Sequence, residues 1–158
     1  MRGVILSFVV LALPAACPID DRAAQRAQPE AADAAGYIAP ETAVMGAANA
    51  WPDSYPGRFA FEVLGSGEDD GHAFLNSQAD YRDQRTLTVR IPASARSAFT
   101  SRFGEDPTAF FRGKTIAVTG EARRVRIDFL NAGRPTGLYY FQTHVVATDP
   151  DQIAVIAD

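Results

Sequence analysis

The residues of this chain best equipped for chemistry are arginines interleaved with aromatic rings. Phe74, Tyr81, Arg82, Arg85 and Arg90 fall within one stretch of 17 residues, and Arg123, Arg124, Arg126, Arg134 and Tyr139 form a second group. Guanidinium groups beside flat rings suit stacking on single-stranded nucleic acid, where charge follows the backbone and rings hold the bases. They serve an anionic glycan or a protein partner equally well. The plain alternative is a row of arginines solvated on the polar face of a sheet.

Other candidates carry less. Glu68-Asp69-Asp70-Gly71-His72 is the densest run of metal-ligating side chains. Asp-Gly is also hairpin chemistry, so the run reads as a solvated turn. His72 and His144 are the two histidines, too few for a zinc centre with the single cysteine far off in sequence. His144, between Thr143 and Val145, reads as a half-buried structural histidine. Gly113-Lys114-Thr115 invites comparison with a phosphate loop, but the glycine required five residues before Gly113 is Thr108. No Gly-x-Ser-x-Gly elbow is present. The expectation is a non-catalytic protein with no cofactor and no metal.

Charge and length bound the function. The formal net charge is −4 over 158 residues, and an acidic chain repels phosphate backbones at long range. A hydrophobic fraction of 47% is enough for one core. The start of the chain reads as an export signal: Met1-Arg2, an apolar run over 4–13, then Ala15-Ala16-Cys17. Residues 1–16 are assigned to a signal peptide. Leu13-Pro14-Ala15-Ala16-Cys17 resembles a bacterial lipoprotein processing site, although Pro14 stands where leucine is usual. Cys17 is thus the candidate lipidation site, and cleavage by the ordinary signal peptidase is the alternative. Either route places the protein in the periplasm or cell envelope. One cysteine cannot form a disulfide within its own chain.

The elements that must position the arginines begin after a tether. Residues 17–56 are dense in alanine, proline and charge, and bury too little surface to offset chain entropy. A helical turn after Pro40 is expected within them, and Trp51 and Tyr55 are expected to lie against the domain as a cap. The domain itself is assigned to 57–158. Phe59, Phe61 and Val63 share one face of a first strand over 58–64. Asp70-Gly71 turns into a second strand over 72–76, and Leu87, Val89 and Ile91 face inward from a third over 86–91. A helix over 95–103 follows, with Ser94 as its N-cap, Gly104 as its C-cap and Phe99 and Phe103 on one face. Asp106-Pro107 starts a short turn carrying Phe110 and Phe111. The strand 113–120 comes next, then a change of phase: Ile116 and Val118 are even-numbered, but Val125, Ile127 and Phe129 are odd. A bulge near Gly120, with a positive φ there, would explain the change. Residues 131–137 read as a loop, 138–148 as a long strand and 153–156 as a terminal strand. Strands, helix, strands in this order predict an all-β protein with one helix, a five- to six-stranded OB-fold barrel.

Phe74-Leu75-Asn76-Ser77, Asp80-Tyr81-Arg82-Asp83, Leu87-Thr88-Val89-Arg90-Ile91, the strand from Gly113 to Gly120 and Asp149-Pro150-Asp151-Gln152-Ile153 follow one another in order. The set resembles exported bacterial OB-fold domains related to the tRNA-anticodon-binding-like group, over residues 58–156. The resemblance implies a fold far more than an activity. This chain departs from that pattern after Val125, where a longer hairpin runs from Asp128 to Leu138. OB barrels bind across their second and third strands and adjacent loops. The candidate binding face is therefore Phe74, Tyr81, Arg82, Arg85, Arg90, Arg124, Arg126 and Tyr139. The partners expected are a protein or an anionic ligand of the envelope, with membrane contact through the lipid anchor alone. Nucleic acid is the alternative, disfavoured by charge and export; a hydrolase with an unrecognised site is the second.

Overall fold

A computed structural model describes residues 36–158. The signal peptide, Cys17 and the first half of the tether lie outside the described residues. The second half of the expected tether is not a tether. Pro40, pre-set for a first helical turn, opens α1 (Pro40–Ala50). Ala43 and Ala47, one turn apart, are fully buried in the core. Such small side chains bring a helix close to a sheet: a Cβ on Gly46 would lie 2.6 Å from the Tyr55 ring. Ile38 already joins the sheet, donating its N–H to the Arg58 carbonyl at 2.8 Å. The folded unit therefore begins about 20 residues before Gly57. Tyr55 packs on it as expected, whereas Trp51 is 59% exposed and caps nothing.

The sheet has seven strands: β1 (Tyr55–Glu62), β2 (Gly65–Asp69), β3 (His72–Asn76), β4 (Leu87–Ile91), β5 (Thr115–Asn131), β6 (Arg134–Val146) and β7 (Ile153–Ala157). Their order is β1-β5-β6-β4-β3-β2, with β7 also on β5. All pairs are antiparallel except β4 and β6, which are parallel. The expected first strand over 58–64 is β1, which pairs with β5 and ends at Glu62, and the residues expected as a turn supply a further strand, β2, on β3. At the break, Val63 N–H donates to the Lys114 carbonyl (2.9 Å) and Leu64 N–H to the Asn76 carbonyl (3.0 Å). The sheet is an open path in its hydrogen bonds, not a closed barrel. Its two ends are joined through the chain at Val63–Leu64.

Between β4 and β5 lie α2 (Ala93–Phe103) and α3 (Pro107–Phe110). Ser94 does not cap α2: the helix starts two residues earlier than expected, with Pro92 at the N-cap. Gly104 ends it at φ 79° as expected. Phe99 and Phe111 are fully buried, and Phe103 stacks on Phe110 and Phe111 at 4.9 and 4.8 Å between ring centres. The aromatic plug seals one end of a core made by Phe59, Leu75, Leu87, Val89, Ile116 and Val118. Mostly strand, with few helices and this strand order, the fold is all-β and OB-like.

The change of phase in β5 has another cause than a bulge at Gly120. Pairing with β1 is regular from Tyr55↔Ala122 to Glu62↔Thr115, with Gly120 opposite Gly57. Gly120 is not among the positive-φ glycines. Its role is close approach, since a Cβ there would lie 2.8 Å from Val145 Cγ1. Ile116, Val118 and Ala122 face the core. Beyond Ala122, β5 and β6 run on as a two-stranded arm past β1 and β4. The arm has no core beneath its even-numbered side. Its odd-numbered side, with Val125 and Ile127, turns to a groove on the opposite face of the sheet. The register does shift farther out, between Asp128 and Leu130, where Gly137 takes φ 85°. The expected loop over 131–137 shrinks to a two-residue turn, Ala132-Gly133, both at positive φ.

Candidate ligand-binding groove

Alternation along the strands builds the groove. In β4, Leu87, Val89 and Ile91 fill the core, so Thr88 and Arg90 must point to the other face. The same parity turns His72, Phe74 and Asn76 of β3 outward, and Tyr140, Gln142 and His144 of β6 with them. The β5 part of the arm adds Val125 and Ile127. These side chains line a cavity of about 800 Å³, whose rim is formed by β2, Tyr81 and Arg112. Gly67 stands opposite Phe74 in the ladder and, having no side chain, leaves that ring accessible from above.

The floor is polar, aromatic and internally satisfied. Phe74 lies between the two histidines, 6.4 Å from the His72 ring and 6.2 Å from His144. Thr88 Oγ1 donates to Asn76 Oδ1 at 2.9 Å, with both side chains buried. Gln142 Nε2 donates to the Tyr81 carbonyl (2.9 Å) and to the Tyr140 hydroxyl (3.1 Å). A backbone carbonyl can only accept, so the Gln142 amide orientation is set. Its Oε1 then faces His144 Nε2 at 2.8 Å, which must carry the proton. His144 is thus held as the neutral Nε2–H tautomer. Burial, and secondly the charge of Arg90, push its pKa down to about 4. Burial likewise raises the Tyr140 hydroxyl.

The residues expected at one face are divided among three places. Phe74, Tyr81 and Arg90 line the groove. Arg82 is exposed outside the groove lining, its Nε 3.1 Å from the Tyr81 hydroxyl, and that hydrogen bond raises its pKa. Arg85 is turned away in a two-pronged pair with Asp83 (3.0 and 2.6 Å), which brings the Asp83 carboxyl down to about 2. Arg124, Arg126 and Tyr139 are on the opposite face of the arm. There Arg124 lies over the Phe141 ring at 3.9 Å and Arg126 over Tyr139 at 4.1 Å, a ladder half-buried at the first pair and exposed at the second, where Asp128 also holds Arg126 (2.7 Å). Val125↔Gln142 and Arg126↔Phe141 are successive pairs, so the two sets cannot share a face.

His72, Asn76, Thr88, Tyr140, Gln142 and His144 are groove residues that the sequence reading did not select. For the three on β6 the signal was the alternation Tyr140, Gln142, His144, opposite in parity to the core residue Val145. The acidic run is a hairpin tip, with Asp70 at φ 47° and Gly71 at φ 75° in the turn. Glu68 is held by Arg96 at 2.5 Å.

Fold and groove together define an OB-like domain with a concave face on β3, β4 and β6. No family model matches the chain, and no curated protein matches it. Among solved structures, an aspartyl tRNA synthetase from Entamoeba histolytica is similar over 65% of this chain and 18% of its own. The identity is 14% and the TM-score 0.38.

Proposed function

We propose that this protein is a non-catalytic binding module, exported and tethered to a membrane through Cys17, whose ligand occupies the β3–β4–β6 groove. The observation that carries the reading is the groove's buried polar floor. Asn76, Thr88, Gln142 and His144 are each at most 8% exposed, on the sheet face opposite the hydrophobic core. A polar layer costs stability unless each group is partnered, and here its hydrogen bonds fix the shape of a concave aromatic surface. Concave sites with a few convergent polar groups are where small ligands bind.

Two experiments test the two halves of the proposal. Amide chemical-shift mapping against a panel of anionic, neutral and oligonucleotide ligands should move Phe74, Arg90 and His144; shifts gathered instead on Arg124 and Phe141 would place binding on the outer face of the arm. For the tether, full-length protein should fractionate with membranes, and Cys17→Ser should release or stall it. Wild-type protein cleaved before Cys17 and fully soluble would overturn the anchor.

A further inference from the structure

Two hydrogen-bond donors in the groove point at each other with no acceptor between them. His72 Nδ1 accepts the backbone N–H of Ala93, the first residue of α2, at 3.1 Å. A backbone N–H can only donate, so Nδ1 holds a lone pair and the neutral ring carries its proton on Nε2. Yet Nε2 lies 3.2 Å from Arg90 Nη2, and a guanidinium has donors only. A lone pair that would satisfy both is missing.

Arg90 also differs from the other arginines near acids. Arg85, Arg96, Arg123 and Arg126 each hold a carboxylate. Among the described residues, Arg90 forms no such pair, and it is half-buried on the groove wall. Asp69 faces His72 across the β2–β3 ladder but bonds to neither ring nor guanidinium.

We propose that Arg90 and His72 Nε2–H receive the single anionic head of a ligand, a carboxylate or phosphate, whose apolar body lies along Phe74. This rests on the groove being the binding face. An anion there would accept from Arg90 and from His72 together, supplying the missing acceptor in a charge-assisted contact. Phe74, Val125 and Ile127 give the apolar surface for the rest of the molecule. The acidic rim sets the limit of one head. Glu68 and Asp69 border the groove, so each further negative charge on a ligand adds repulsion, and a lone head held between Arg90 and His72 meets less of it than a chain of phosphates would.

The test uses simple probes of one shape: benzoate, phenyl phosphate and uncharged benzamide, titrated into the purified full chain and followed by amide shifts. At least one of the two anions should move Phe74, Arg90 and Ala93 and bind about tenfold or more tighter than benzamide, the weight of one charge-assisted hydrogen bond. Which anion wins tells a carboxylate head from a phosphate. Arg90→Gln and His72→Phe should each erase the preference, and Arg85→Gln should keep it. The wild-type comparison of benzoate with benzamide stands even if a variant does not fold. Benzamide binding in the groove as tightly as both anions would sink the anion site and leave the groove reading intact. Shifts on the Arg124–Phe141 face, or none in the groove with any probe, would overturn both.

Discussion

The two faces of the β5–β6 arm are made of the same kinds of residue and do different things. On one, Tyr140, Gln142 and His144 close a groove with Phe74 and Arg90. On the other, Arg124 and Arg126 lie over Phe141 and Tyr139, the second pair exposed and the first half-buried. Arginine beside an aromatic ring is common to both. Arg90 and Arg124 are alike half-buried; what separates the faces is the polar floor, where His144 is 7% exposed, whereas Tyr139 on the other face is 50% exposed. Charge and hydrogen bonding gain strength as water is excluded, so polar contacts on the groove floor are the stronger ones, and this is why the proposed ligand is set there and not on the ladder.

The largest expected difference between the faces is a pH effect. His144 has its folded pKa depressed to about 4, while the unfolded value is about 6.5. Its contribution is fully present above pH 6.5 and is lost as pH falls toward 4, because the unfolded chain takes up the proton first. The full loss is about 3 kcal/mol. Thermal melts at pH 7.5 and 4.5 should show wild type losing more stability than His144→Phe. Equal losses would mean that the groove floor is open to water.

Next is Gln142→Leu, which strips the acceptor from His144 Nε2 and the donor from the Tyr81 carbonyl. Leaving such groups buried without partners costs about 2 kcal/mol, read by chemical denaturation. A cost close to zero would show that the polar floor is loosely held.

Gly120→Val tests the point where the arm leaves the core. The added side chain begins 2.8 Å from Val145 Cγ1, and overpacking of this kind costs upwards of about 1 kcal/mol. A variant that melts with wild type would show that β5 and β6 part there without strain. The smallest effect belongs to the ladder. Arg124→Gln removes a half-buried cation–π contact and should change stability by roughly half a kcal/mol; a larger loss would reveal that this face is covered.

How much could be read beforehand follows the same division. Period-2 alternation with bulky residues made β1, β4 and the first part of β5 legible, and Asp70-Gly71 and Gly104 marked their turns through positive φ. The helix α1 (Pro40–Ala50) was legible only as a turn after Pro40, and its place in the core was missed because its buried contacts are alanines. Ala43 and Ala47 bury little area each, and their composition is also that of a linker. In the groove, Phe74 and Arg90 were legible because β3 and β4 have unambiguous core faces, whereas Tyr81 reaches it from the loop between them. Arg124, Arg126 and Tyr139 were misplaced because parity in the arm is fixed by register with β6 and by the core ending at Ala122. Neither is written in local sequence. The same ambiguity turned a change of buried face into a supposed bulge at Gly120.

The claim that one face binds and the other does not comes down to a paired affinity measurement. Benzoate or phenyl phosphate, whichever binds wild type tighter, is titrated calorimetrically into Arg90→Gln and Arg124→Gln side by side. Both substitutions remove one positive charge, so any general electrostatic effect is matched. Arg90→Gln should weaken binding about tenfold or more and Arg124→Gln should leave it at the wild-type value. Equal losses in the two variants, or a loss confined to Arg124→Gln, would contradict the account.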